Sequence, residues 1–476
     1  MMLEMGLCHR KICRSDLGME QNVDAGRKRI WGWYFFDWAS QPYNTLLLTF
    51  IFGPYFAEVA RAYFTAQGAE PVMAAAQAQA YWSSGLTITG ILIALLSPVV
   101  GAIASGTGRI MVWIWAFSAF YVAGSLMVWW CLPQMPSLFW PVFWFSLGFI
   151  GMEMATNLTN ALMPDLTGDE NMGKISGSGF AFGYAGGVLS LFIVLLFFAE
   201  SGTTGKTFIG LDPLFGLDAA QREGTRSVGP FTAIWYVIFM VPFFLWVREP
   251  KHRVQRRTIS QSLSGLKDTI AGLKHRKSLA FFLIGSMFFR DALNSVYALG
   301  GSYASNAMDF TVVQSGIFGI VAAISAAFGT YFGGRIDQRR GPKLVIVLSI
   351  LCLIGVLVVM VGMSPAGLYS IRFAEGSSTG TQIVYLCGVV IGAMGGTLQA
   401  SSRTIMVFHT DHDRAAADFG LYCLSGKATA FLAPALITWA SLTSGSPQIG
   451  ITPLIPLFLI GLVLLIWVKP TQARGQ

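Results

Sequence analysis

The sequence predicts an all-α membrane protein, with twelve transmembrane helices in two six-helix bundles. Three observations carry this prediction. Apolar residues make up 54% of the 476-residue chain and charged residues only 12%, with a mean hydropathy of +0.58. Soluble domains carry about 25% charge. Twelve runs approach the roughly 20 apolar residues that a helix needs to cross lipid. The most basic connection falls midway along the chain. Too little charge remains to coat soluble domains, which excludes a soluble enzyme, a disordered chain and a nucleic-acid-binding domain. The net charge of +8 then reports topology rather than an acidic partner.

Taken in order, residues 1–30 hold basic residues but no apolar core ahead of a cleavage site, so a cytoplasmic tail is expected. The first bundle, 31–247, has spans at 31–60, 81–104, 110–132, 138–163, 176–199 and 229–247. Pro42 should kink the first span and free a backbone carbonyl. Gly177, Gly179, Gly183, Gly186 and Gly187 in the fifth span read as a close helix-packing surface, since neither a preceding strand nor a phosphate-cradling Lys accompanies them. The loop 200–228 reads as irregular. Residues 248–277 form a linker whose Ile259, Leu263, Leu266, Ile270 and Leu273 fall at helical spacing beside cationic residues. That amphipathic helix is either a strap between the halves or a lipid-sensing element.

The second bundle, 278–468, has spans at 278–302, 311–333, 343–363, 382–405, 417–442 and 449–468, followed by a tail, 469–476. With both ends inside, 25 of the 32 Lys and Arg lie on the cytoplasmic side and 5 on the other, leaving Arg290 and Lys427 within spans. None of the six Cys forms a CxxC pair, so no disulfide framework or zinc site is expected. The segment with His409, Asp411, His412 and Asp413 reads as a solvated loop more readily than as a metal site, and no cofactor is expected.

The halves repeat. Tyr43 follows Asp37 by six residues, and Tyr297 follows Asp291 by six. The turn GAIASGTGR (101–109) corresponds to GGRIDQRRGPK (333–343). This turn resembles the G-x-x-x-D-R-x-G-R motif of the major facilitator superfamily. Gly101, Gly108 and Arg109 match; Ser105 stands for the Asp and Gly106 for the following Arg, whereas the second copy keeps Asp337, Arg339, Arg340 and Gly341. Four stretches, FDWASQPY (36–43), NALMPDLTGDENMGKISGSGFAFGYAGG (160–187), FLIGSMFFRDALNSVYALGGSYA (282–304) and GGTLQASSR…ADFGLYCLSGKATAFLAP (395–434), resemble the vacuole-effluxer-like (autophagy-related) permeases of that superfamily. The chain departs at Phe36, Ser40 and Gln41, where the family resembles Y-D-W-A-N-S, and at Arg290-Asp291-Ala292, where Asp-Gly is usual. The resemblance implies a secondary transporter, with amino-acid release from a compartment as the best-known role.

A charge at mid-bilayer costs about 2.5–3.5 kcal/mol on insertion scales, so it normally faces a cavity or a partner. Asp37, Gln41 and Asn44 share one helical face, as do Glu153, Asn157 and Asn160. Each stripe is either a solute or proton site or a structural polar knot. Arg290, aligned with Asn294 and Tyr297, either binds a carboxylate solute or pairs with Asp37 or Glu153. Lys427 lies well inside its span, where it neutralises a carboxylate or gates the cavity.

The expected solute site is therefore Asp37, Gln41, Asn44, Asn157, Arg290, Asn294 and Lys427, with Asp37, Glu153 or Asp291 carrying a coupled proton. Gly101, Arg109, Asp337, Arg339 and Arg340 are the expected gate, weaker in the first half because Ser105 lacks a carboxylate. The expected function is alternating-access transport of a small polar solute, such as an amino acid or organic anion, with export favoured. The alternative is a sensor or scaffold that does not transport. The expected partners are the solute, protons and the lipid bilayer, without nucleic acid. A monomer in a bacterial inner membrane is expected.

Overall fold

A computed structural model describes residues 26–249, 257–374 and 377–469. The expected tails up to residue 25 and from 470, and linker residues 250–256, lie outside the described residues. Lipid leaves no water to satisfy backbone groups, so each crossing must be helical. Among the described residues, ten helices are long and apolar enough to cross a membrane. Every other predicted span also falls on helix. These two are the first and the fourth, 31–60 and 138–163. The first is broken, and both carry an ionisable side chain and amides.

In the first half, α1 (26–42) continues into a π-helical stretch, Tyr43–Phe50, before α2 (Phe52–Ala66). Pro42 has no N–H, which frees the carbonyl of Trp38 four residues back. Trp235 Nε1 donates to that oxygen at 3.2 Å, so the expected kink is a wide-turn segment whose loose carbonyl is already satisfied. Then come α3 (Pro71–Thr107), α4 (Ile110–Met127), α5 (Phe139–Asn160), α6 (Met172–Phe197) and α7 (Val228–Trp246). The linker helix α8 (Ile259–Gly272) starts at a capping box: Thr258 accepts from the Gln261 N–H, and Gln261 accepts from the Thr258 N–H.

The second half holds α9 (Lys277–Met308), α10 (Val312–Arg340), α11 (Pro342–Val361), α12 (Thr379–Phe408), α13 (Ala415–Ala428), α14 (Leu432–Ser444) and α15 (Leu454–Leu465). The eleventh predicted span is thus split at 429–431. A small antiparallel sheet of two-residue strands, Met363–Ser364, Gly367–Leu368 and Ile371–Arg372, closes the connection after α11 and was not expected.

Two anchors fix the loops. Glu200, 5% exposed, accepts from the Thr225 N–H and hydroxyl at 3.0 and 2.8 Å, pinning the long loop to the start of the sixth span. Glu249 accepts from the N–H groups of Ile110 and Met111 at 2.6 and 3.2 Å, capping α4. Burial raises the Glu249 carboxyl above its ordinary value, against the pull of those two N–H groups. The folded chain then holds that proton to higher pH than the unfolded chain. The stability tied to it is full below the ordinary carboxylate value and falls as pH rises through the raised one. Thermal midpoints of Glu249→Gln are expected to stay flatter across that window than wild type; parallel curves would contradict this.

The halves meet closely at the end that carries the linker and the 335–343 turn, here the basic end. A Cβ on Gly101 would lie 2.1 Å from the Ala416 carbonyl oxygen, and one on Gly177 would lie 2.6 Å from the Gly334 Cα. The fifth-span glycines are packing surface, as the sequence suggests: Gly179 and Gly183 face Asp37, Gly186 faces Trp38 and Gly187 faces Gln41 and Thr45. A Gly101→Val chain is expected to hold the basic end apart. Spin labels replacing Asn171 and Gln338, whose side chains meet at 3.0 Å across the halves, should read a longer distance than in the parent. An unchanged distance would remove this contact from the gate.

Candidate functional site

Asp37, on α1, faces α12. Its Oδ2 accepts from Arg403 Nη1 at 3.2 Å. Arg403 is almost wholly buried, with 3% of its side chain exposed. Its Nε donates to Ser176 Oγ at 3.0 Å, Nη2 to the Ser176 carbonyl at 2.8 Å and Nη1 also to Asn160 Oδ1 at 3.1 Å. The guanidinium lies over the rings of Phe180 and Trp33, at 4.1 and 4.6 Å from their centroids. One side chain of the second half is thereby held by α1, α5 and α6 of the first.

A second cross-half pair lies between α5 and α13. Lys427 Nζ is 2.9 Å from Glu153 Oε1, and about a fifth of each side chain is exposed, 21% and 22%. The ammonium also stands 5.2 Å from the Phe149 ring centre. Asn157, one turn beyond Glu153, is 5% exposed, and its Nδ2 has no hydrogen-bond partner among the described residues. Asn44 Nδ2 reaches Met152 Sδ at 3.9 Å, a weak contact. Gln41 is half-buried against the Gly187 position.

Arg290, on α9, is half-buried. It donates to the Tyr422 carbonyl at 2.8 Å and lies over the Tyr422 ring at 4.2 Å. Gly426 makes room for it, since a Cβ there would be 2.4 Å from the guanidinium carbon. Among the described residues Arg290 has no carboxylate partner. The pairing considered from sequence, with Asp37 or Glu153, is not the one the structure holds; those carboxylates face Arg403 and Lys427. Asn294 is exposed. Gln399 Nε2 donates to the Tyr184 hydroxyl at 3.5 Å, joining α12 to α6, and the Tyr297 hydroxyl lies over Gly395 of α12. Asp291 is 1% exposed and accepts from the Ala433 N–H at 3.0 Å. It sits at the start of α14, where its charge meets the helix dipole and the break at 429–431 is fixed. That geometry is a helix cap.

The basic-end contacts are pseudo-symmetric. Ser105 Oγ accepts from the Ala417 N–H at 3.2 Å, in the first turn of α13. Asp337, 2% exposed, lies against Gly173 in the first turn of α6, where a Cβ would be 2.7 Å from its carboxylate. Ser105 therefore occupies the place that a carboxylate takes in the second copy. Arg109, Arg339 and Arg340 are exposed and make no ion pair among the described residues. The structure thus brings Gly101 and Asp337 into the contact between halves and leaves the three arginines at its edge.

In the segment after α12, Asp411, His412 and Asp413 are exposed, as a solvated loop would have them, and His409 is not. His409 is fully buried, bonded to Ser278 Oγ at 2.6 Å and to the Ile405 carbonyl at 2.9 Å, while His412 meets Asp165 across the halves at 2.9 Å. Among the described residues no three His, Cys, Asp or Glu side chains gather as metal ligands. Arg276 clamps the buried Asp418 with both terminal nitrogens, at 2.9 and 3.0 Å, and also donates to the His409 carbonyl.

Sequence reasoning missed Arg403 as a site residue, and Ser105 as a helix cap. The available signal for Arg403 was a lone cation within an otherwise uncharged segment, GGTLQASSR.

The family model described as "Vacuole effluxer Atg22 like" matches residues 25–476. The chain is similar to an uncharacterized MFS-type transporter, YxiO, of Bacillus subtilis (strain 168), at 23% identity over 446 residues, covering 92% of this chain and 94% of that protein. Autophagy-related protein 22-2 of Neosartorya fischeri is 21% identical over 343 residues, covering 68% of this chain and 53% of its own length. The chain therefore spans about half the length of that fungal relative. Among solved structures, FucP, a major facilitator superfamily transporter in the outward conformation, aligns with a TM-score of 0.62 at 12% identity over 94% of this chain and 99% of FucP. The human organic anion transporter MFSD10 aligns with a TM-score of 0.64 at 14% identity over 92% and 99%. Matched over all but its first 24 residues and folded as two helical halves, the chain belongs to the vacuole effluxer Atg22-like family of major facilitator superfamily transporters.

Proposed function

We propose that this multi-pass membrane transporter is proton-coupled and exports a small polar solute, an amino acid or an organic anion, by alternating access. The observation that carries the reading is Arg290. It is a guanidinium inside a span, with a carbonyl and a ring for company and no carboxylate among the described residues. A charge so placed is costly unless a counter-group visits it. A solute carboxylate suits the planar fork of Arg. The cross-half pair Glu153–Lys427, the open amide of Asn157, and Gln41, Asn44 and Asn294 complete the proposed polar lining.

Asp37 and Glu153 each hold an inter-half ion pair, so protonating either carboxylate weakens a contact between halves. That is the linkage proton coupling needs. Asp291 was the third candidate proton carrier; its capping position supports a structural part instead. Gly101, Ser105 and Asp337 would close the basic end, with Arg109, Arg339 and Arg340 at its rim. The charge bias of the loops supports a cytoplasmic basic end and cytoplasmic termini; the proposed setting is a bacterial inner membrane, with the chain acting as a monomer. On that orientation the closed basic end seals the cytoplasmic side.

The test is flux of a broad solute panel in proteoliposomes with and without a pH gradient. A folded chain that moves none of the panel under either condition would favour the sensor reading. Arg290→Gln is expected to raise the KM for a carboxylate solute roughly tenfold to a hundredfold, the range of a lost charge-assisted hydrogen bond. Arg290→Lys should fall between. An unchanged KM in both would take Arg290 out of the site.

A further inference from the structure

The linker helix α8 is turned over relative to an ordinary surface helix. Its small polar face, Ser262, Gly265 and Thr269, is the side packed inward: Ser262 and Thr269 are buried, and Ser262 lies against Gly106 at the end of α3. Of its apolar residues, Leu266 is half-buried and three others point away. Ile259, Leu263 and Ile270 are exposed to 56%, 38% and 50%. At 100° per residue these three fall within about 40° of one another, Lys267 flanks them on the side away from the packed face, the exposed Lys274 follows in the turn just beyond Gly272, and Asp268 lies opposite. An apolar stripe edged by lysines, on a protein whose neighbouring helices cross lipid, has the chemistry of an interfacial helix facing acidic headgroups.

The helix is also tied to the basic-end contact. The Arg257 N–H donates to the Gly106 carbonyl at 2.9 Å, one residue from Ser105, which caps α13. At the other end of the linker, Arg276 clamps Asp418, in the first turn of α13. Whatever holds α8 down thus bears on both sides of the α3–α13 contact.

We propose that α8 is an anionic-lipid binding element: Ile259, Leu263 and Ile270 seat among acyl chains, Lys267 and Lys274 engage headgroup phosphates, and the bound lipid favours the closed basic end. The occupant is the anionic leaflet, chosen because the cations edge the apolar stripe while the acidic residue lies opposite.

Hydrogen exchange of residues 259–272 in the full chain tests it, in nanodiscs of phosphatidylcholine alone and of phosphatidylcholine with phosphatidylglycerol. The acidic lipid is expected to slow exchange, and Lys267→Gln/Lys274→Gln to remove that difference, each lysine accounting for about fivefold. Glycerol phosphate added to neutral nanodiscs should have no effect. Equal exchange in both lipids, protection by glycerol phosphate alone, or acidic-lipid protection that survives both glutamines would overturn the proposal. A label pair at 171 and 338 supplies the second readout: phosphatidylglycerol should shift the population toward the short distance in the parent, and a population indifferent to lipid would refute the link to the gate.

Discussion

An Arg403→Gln chain is expected to lose about 3–5 kcal/mol of stability and nearly all flux. The reasoning starts from Asp37. Its carboxylate is largely buried, with 13% of the side chain exposed, and Arg403 is its ion-pair partner. Removing the cation leaves that carboxylate without compensation, and it strands the Ser176 and Asn160 oxygens that the guanidinium now satisfies. The reverse change should be milder. In Asp37→Asn, Arg403 keeps Ser176, Asn160 and the faces of Trp33 and Phe180. Arg403→Lys keeps charge but not the fork, and should lie between. The double variant Asp37→Asn/Arg403→Gln should recover part of the stability lost by Arg403→Gln alone, because no buried charge is then left over. Thermal midpoints in nanodiscs give the order, and proteoliposome flux the function. An Arg403→Gln chain that melts and transports like the parent would show that this pair holds nothing together.

The same residues show what could be read from the chain and what could not. Lipid forces every crossing to be an apolar helix, so spans follow from composition along the sequence. Their ends do not, because a helix continues past the hydrocarbon wherever neighbours pack it: α3 starts ten residues before the predicted span. The break in the eleventh span left one trace, Pro434, which suits the first turn of a new helix and cannot donate to the old one. Stripes were legible too, since Asp37, Gln41 and Asn44 lie on one face whatever that face meets. Pairings were not. Asp37 and Arg403 are 366 positions apart, and no periodicity links them. Ser105 shows a subtler limit. A missing carboxylate suggests a weaker latch in the first half; the chain alone does not show that the Ser105 hydroxyl accepts the Ala417 N–H where Gly101 lets the backbones approach.

Glu153→Gln is expected to separate solute movement from the proton gradient. The pair with Lys427 spans the halves at 2.9 Å, and both side chains keep enough exposure for water to reach them. When the halves part at this level, Lys427 withdraws with α13 and Glu153 loses its counter-charge. A carboxylate left alone in a span takes up a proton more readily than one beside an ammonium. In the proposed coupling, proton uptake and separation of the halves favour each other, so the two conformations would hold different numbers of protons. A glutamine keeps the shape and one hydrogen bond but has no proton to gain. Accumulation driven by a pH gradient should fall at least about tenfold, which asks only ~1.4 kcal/mol of differential stabilisation. Counterflow exchange of the same solute, which needs no net proton movement, should persist. Lys427→Gln should uncouple as well, because Glu153 then has no counter-charge in either conformation and nothing distinguishes the two for a proton. Both variants should therefore keep counterflow while losing gradient-driven accumulation. If Glu153→Gln still accumulates solute down a proton gradient, the coupled proton is carried elsewhere and the pair is only a brace between the halves.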